Sequence, residues 1–99
     1  MIKYHLLISD EAKLDILDAH SWYQQHQLNL GHEFITNLDA AFTLLIQNPH
    51  SFQTKYKQIR ICYLARFPFG IHYLIDNDEV KVVAVFHSSR DPKKWGDRL

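Results

Sequence analysis

His87, near the end of the chain, stands three residues ahead of Arg90, while Arg60 and Arg66 share one side of an earlier alternating run. An imidazole titrates close to neutral pH and can give or take a proton. An arginine grips a phosphate with two parallel N–H donors. His87, Arg66 and Arg90 therefore have the types needed for proton transfer at a phosphate, and Arg60 for its capture, with Lys55, Lys57, Lys81, Lys93 and Lys94 adding charge. The overall charge is zero but uneven: residues 1–49 hold two Lys/Arg against six Asp/Glu, and residues 50–99 hold nine against five. That polarity predicts an anionic visitor, nucleic acid or an acidic protein segment, at the C-terminal half.

The same residues also suit structural duty. A histidine at a strand end, beside Arg90 and Asp91, can fix a turn by hydrogen bonds. Asp91-Pro92 fits the cap and first position of a short helix, and Trp95 fits a packing anchor for the tail. Arg90 can pair with a neighbouring carboxylate, which at an exposed site is worth only ~0–1 kcal/mol. Arg60 and Arg66 can lie on a solvated sheet face. The remaining histidines, His5, His20, His26, His32, His50 and His72, are scattered and show no metal-site spacing, so no metal or cofactor is expected. Cys62 is the sole cysteine, which excludes an intrachain disulfide and points to a reducing cytoplasm. The N-terminus does not read as a signal peptide, and no apolar run nears the ~20 residues that cross a bilayer.

These side chains need a scaffold, and 99 residues supply one domain, residues 1–99. With 46% hydrophobic residues the chain can bury a core without metal or disulfides. Ile2 to Ile8 reads as a strand, ended by Ser9-Asp10-Glu11, in which Ser9 caps a helix and the two acids favour its positive end. Ala12, Ile16, Ala19 and Tyr23 make one face of a helix over about 10–26. Phe34, Leu38, Ala41 and Leu45 make a second, ending near Asn48 because Pro49 disfavours helix in the residue before it. Residues 59–65 alternate, Ile59, Ile61, Tyr63 and Ala65 against Arg60, Cys62, Leu64 and Arg66. Ile71, Tyr73 and Ile75 oppose His72 and Leu74, and Asp76-Asn77-Asp78 is a turn. Val80, Val82, Ala84 and Phe86 oppose Lys81, Val83, Val85 and His87. The predicted class is α+β, in the order β-α-α-β-β-β. It consists of an N-terminal strand, an antiparallel helical hairpin and a three-stranded antiparallel meander, with the helices on the apolar face of the sheet. The cationic face is left open.

Over nearly its whole length the chain resembles the RelE/ParE toxin superfamily of type II toxin–antitoxin systems. The resemblance rests on Asn48-Pro49, the strand Arg60 to Arg66, Phe67-Pro68-Phe69-Gly70-Ile71-His72-Tyr73 and, above all, His87-Ser88-Ser89-Arg90-Asp91-Pro92-Lys93-Lys94-Trp95. It implies growth arrest by a toxin held inactive by a cognate antitoxin, here expected to lay a helix along the groove beside the helical hairpin or to add an extended segment at a sheet edge, covering Leu64, Val83 and Val85. The superfamily divides by target. One branch cleaves messenger RNA in the ribosome, which would give His87 the proton chemistry and Arg66 and Arg90 the phosphate; the other poisons DNA gyrase. Phe69-Gly70 stands where ribosome-dependent relatives have an aromatic-Arg pair, and the C-terminal tyrosine of some of them is missing. Trp95 cannot replace it, since an indole N–H does not titrate usefully. The His-x-x-Arg-Asp ending is more similar to the gyrase-directed branch, which is the target expected. A binding module without toxicity is the third reading.

Overall fold

The computed structural model describes residues 3–99. Strand β1 (His5–Ile8) is followed by helices α1 (Asp10–His26) and α2 (Leu30–Gln47), a short 3-10 turn (Pro49–Ser51), and strands β2 (Thr54–Tyr56), β3 (Ile59–Tyr63), β4 (Phe69–Asp76) and β5 (Glu79–His87). A 3-10 helix, Pro92–Arg98, ends the chain. The expected first strand is shorter than its sequence run, and Ile2 lies outside the described residues. Ser9 caps α1 as expected, accepting from the Ala12 N–H at 3.0 Å. Asn29 turns the chain through a left-handed conformation (φ 67°). Gly31 then lets α2 approach α1 closely: a Cβ there would sit 2.9 Å from the His20 carbonyl oxygen.

The sheet runs β1-β5-β4-β3-β2. β2 to β5 are antiparallel neighbours, but β1 lies parallel to β5, with Leu6 beside Val80 and Ile8 beside Val82. The sheet is therefore mixed, because the helical hairpin carries the chain over the sheet before it returns. Both helices pack on one face, where Phe34, Leu38 and Leu45 meet Cys62, Leu64, Ile71, Tyr73, Val82 and Val85. Each fully buried apolar side chain of this size contributes about 1.5–3 kcal/mol.

Two face assignments differ from the alternation. In β3 the helix side belongs to Cys62 and Leu64, while Ile59 and Ile61 are buried on the other side and Tyr63 is exposed. Alternation says which residues share a face; it does not say which face, and here both faces are apolar. In β5 the pairing shifts between Tyr73–Val82 and His72–Ala84, so Val83 is an extra residue. Such a bulge reverses the orientation of every later residue in the strand. Val80 and Val82 face the helices as expected, but past the bulge Val85 does so and Ala84 and Phe86 turn away. Leu64 and Val85 are thus core residues, 7% and 2% exposed, and do not form an open apolar surface. Val83 is half-buried at the bulge.

Nor is the second face open. The C-terminal 3-10 helix crosses it and brings Trp95 against Tyr56 and His72, at ring separations of 5.2 and 5.0 Å. Asp91 caps this helix by accepting from the Lys93 N–H, with Pro92 in the first position.

Candidate functional site

β1 stops pairing at Val82, because the chain leaves it for α1. Past that point the outer edge of β5 has no strand beside it, and α1 runs along it instead. Asp15 of α1 substitutes for the missing strand: its carboxylate accepts the Val85 N–H at 3.0 Å. Arg98 completes the edge, binding Asp15 in two-pronged fashion at 2.9 and 3.1 Å, donating to the Val83 carbonyl at 3.1 Å and meeting Glu11 at 3.4 Å. The hydrogen bond to Asp15 raises the arginine's pKa further.

Beyond this tie the edge opens into a groove of about 510 Å³ between α1 and the end of β5. Its floor is apolar, made by Ala19, Tyr23, Phe69, Val85 and Phe86, and Trp22 stands 55% exposed at its rim. Asp18 borders one side; His87 and Arg90 border the other. The Nδ1 of His87 accepts from both the N–H and the hydroxyl of Ser89, at 3.0 and 2.7 Å, which leaves the ring proton on Nε2. The ring stands edge-on to Phe69 at 5.1 Å. Arg90 donates its N–H to the His87 carbonyl, and its guanidinium lies 4.1 Å from the Phe86 ring centre. That placement is a cation–π contact, and Arg98 makes a second one on the same ring at 4.8 Å.

The structure brings His87 and Arg90 together but scatters the other predicted cations. Arg66 faces α2: its guanidinium meets Glu33 at 3.7 Å and its N–H donates to Asn37. Arg60 lies on the helix side of β3 and donates to the carbonyls of His50 and Phe52. Lys81 pairs with Asp76 at 3.0 Å and Glu79 at 3.9 Å. Lys55, Lys57, Lys93 and Lys94 are exposed on the β2–β3 and tail segments. The expected continuous cationic face is therefore not formed, and part of the charge polarity is consumed internally by Arg98 on Glu11 and Asp15 and by Arg66 on Glu33. The physical reason is the reversed face of β3, which turns Arg60 toward the helices, together with the tail that packs Trp95 on the other face.

Sequence reasoning missed Asp15, Arg98, Trp22 and His72. His72 is 2% exposed, enclosed by Tyr56, Phe86 and Trp95, with its Nδ1 2.9 Å from the Tyr56 hydroxyl. Burial lowers its pKa to about 4, with Asp15 opposing and Arg90 and Arg98 adding to the shift. The Trp95 indole N–H is buried beside it without a partner among the described residues. Cys62, 1% exposed, has its thiol pushed up to about 11 by burial and is an inert core group. Among the described residues no three His, Cys, Asp or Glu side chains gather as metal ligands, and no helix is long and apolar enough to cross a membrane.

The chain is 14% identical to a chain of the chromosomal ParDE TA system from P. aeruginosa, whose structure superposes with a TM-score of 0.73 over 88% of this chain and 98% of that one. At that identity the likeness shows a shared fold. No curated protein sequence matches the chain. The family model described as the ParE toxin of the type II toxin–antitoxin system, parDE, matches residues 6–92, from β1 to the first residue of the C-terminal 3-10 helix. The chain belongs to the ParE toxin family of type II toxin–antitoxin systems.

Proposed function

We propose that the chain arrests growth by binding DNA gyrase, without chemistry of its own, and that a cognate antitoxin neutralises it. One observation carries the choice of target: Arg66, one of the three groups that RNA cleavage would use, stands away from His87 and Arg90. Metal-free cleavage needs a proton acceptor, a proton donor and cations converging on one phosphate. Arg66 is turned to Glu33 on α2, His87 has one ring nitrogen committed to Ser89, and Gly70 offers no side chain between Tyr63 and Phe86. His87 and Arg90 remain as a pair that can contact a partner.

The antitoxin docks in the groove between α1 and β5, which lies beside the helical hairpin and at a sheet edge, the settings expected from sequence. The groove joins an apolar floor to the end of the β5 edge beyond the Asp15 and Arg98 contacts, which gives an extended or helical segment a place to dock. Val85 contributes to its floor, whereas Leu64 does not.

The test is to add purified chain to a plasmid supercoiling reaction with DNA gyrase, and separately to translating ribosomes carrying a defined message. Loss of supercoiling with intact message is the expected result. Cut message with unimpaired supercoiling would overturn the reading and favour a ribosome-dependent endoribonuclease. If induced cells grow normally at verified soluble levels, the chain is a non-toxic binding module.

A further inference from the structure

Arg66 and Arg98 each meet a carboxylate, but the half-buried Arg60 meets main-chain carbonyls: His50 at 3.3 Å and Phe52 at 2.5 Å, both through Nη1. Among the described residues no carboxylate lies within ion-pair distance of it. Neutral carbonyls satisfy N–H groups without cancelling a charge, and a cation drawn partly out of water without a counterion is unfavourable. A guanidinium has five donors, so Nε and Nη2 remain for another group. The two carbonyls also fix the side chain in place. Tyr73, paired with Arg60 across β3 and β4, holds the same connector by donating to the Pro49 carbonyl at 2.6 Å.

Arg60 lines a cavity of about 470 Å³ with His50, Thr54, Lys57, Gln58 and Asn77. No carboxylate lines it. Of the two acids that flank Asn77, Asp76 accepts from Asn77 and is paired with Lys81 at 3.0 Å, and Asp78 lies 3.8 Å from His5. The cavity thus presents the fixed guanidinium of Arg60, the exposed Lys57 and several neutral donors. We propose that it binds a phosphoryl group, with Arg60 gripping two oxygens, Lys57 supplying the second charge, and Thr54, Gln58 and Asn77 donating to the rest. A carboxylate has only two oxygens to offer so many donors; a tetrahedral phosphate has more. The group belongs either to a small phosphate compound or to a nucleic-acid backbone, and the site lies apart from the groove at α1. The proposal does not depend on which cellular target the chain meets.

The experiment titrates isotope-labelled chain at low salt with inorganic phosphate, with a short DNA duplex and with chloride at matched ionic strength, following the amides of Thr54, Gln58 and Asn77. Saturable shifts with phosphate that chloride does not reproduce are expected. Lys57→Glu, at an exposed position in the β2–β3 turn, should weaken them by about tenfold or more, as expected for the loss of one charged contact. A response of the same amides to the duplex, steepening as salt falls, assigns the group to a nucleic-acid backbone; a response to phosphate alone assigns it to small phosphate compounds. No saturable shift with either, shifts equal to those in chloride, or shifts untouched by Lys57→Glu would overturn the proposal.

Discussion

On the helix side of the sheet, Phe34, Leu38 and Leu45 are closed over Cys62, Leu64, Ile71 and Val82, and the titratable groups, Cys62 and Tyr73, are pushed by burial to about 11 and about 12. On the other side the C-terminal segment covers His72 through Trp95 and Phe86 through the guanidiniums of Arg90 and Arg98, and the Arg98–Asp15 pair ties it down. The first closure depends on volume, the second on a few specific contacts. Stability on the helix side should therefore answer to lost methylenes, and on the tail side to protons and single polar atoms.

Core truncation should give the largest effect. Phe34→Ala is expected to cost about 3–5 kcal/mol, the range for a fully buried aromatic, since Phe34 is 0% exposed and packs on Tyr23, Phe67 and Phe69. Trp95→Ala, at a half-buried position, should cost less than half as much in the same denaturant unfolding experiment. Equal costs would break the contrast between the two faces.

Acid comes next. The folded-state pKa of His72, about 4, lies below the ordinary imidazole value of 6.5. Between those values the unfolded chain binds more protons than the folded one, so stability falls as pH drops from about 6.5 to about 4. The full loss from this group is about 3 kcal/mol. Unfolding free energies of wild type and His72→Leu, measured from pH 7 to pH 4.5, should diverge in pH dependence by most of that amount. Parallel profiles would show that the tail face does not exclude the proton.

Asp15→Ala should cost about 1–3 kcal/mol, because it leaves the Val85 N–H without its acceptor and the Arg98 guanidinium without its two-pronged carboxylate. Hydrogen exchange offers the sharper reading. Protection should fall in the Pro92–Arg98 helix and at Val85 while the amides of α2 keep theirs. Uniform loss would mean that the tail and the helical core are one cooperative unit.

Alternation and periodicity encode local events, and that sets how much of the fold and the site was legible. Ser9 and Asp91 announced their helices because a cap is a local event, and Ala12, Ala19, Tyr23, Phe34, Leu38 and Leu45 did so because a buried stripe repeats with the helix. The turn at Asp76-Asn77-Asp78 was legible because Asn77 tolerates its left-handed φ of 55°. The orientation of β3 was not, since Ile59 and Ile61 are as apolar as Cys62 and Leu64, and alternation does not say which pair faces the helices. The bulge at Val83 left no sign in a run of valines. Without those two features Arg60, Arg66 and His87 appear to share a surface, whereas each is held by a different element. His87 and Arg90 alone kept the company assigned to them, being three residues apart around one turn. Asp15 and Arg98, 83 residues apart, could be joined only by the fold.

The smallest effects come from a matched pair of hydroxyls. Tyr73 donates to the Pro49 carbonyl at 2.6 Å within the helix-side core, and the Tyr56 hydroxyl lies 2.9 Å from His72 Nδ1 under the tail. Replacing either by Phe removes one oxygen and little volume, at about 1–2 kcal/mol for a hydrogen bond whose partner stays buried. Their pH dependence should separate them. Tyr73→Phe should lower stability evenly between pH 4.5 and pH 7, because a tyrosine with its pKa near 12 carries no charge in that range. Where the Tyr56 hydroxyl donates to Nδ1, Tyr56→Phe removes a bond that favours neutral His72, so the imidazole's folded-state pKa should rise toward its ordinary value and the acid loss should become shallower. If Tyr56→Phe leaves the slope unchanged, the ring proton sits on Nδ1 and burial alone keeps His72 neutral.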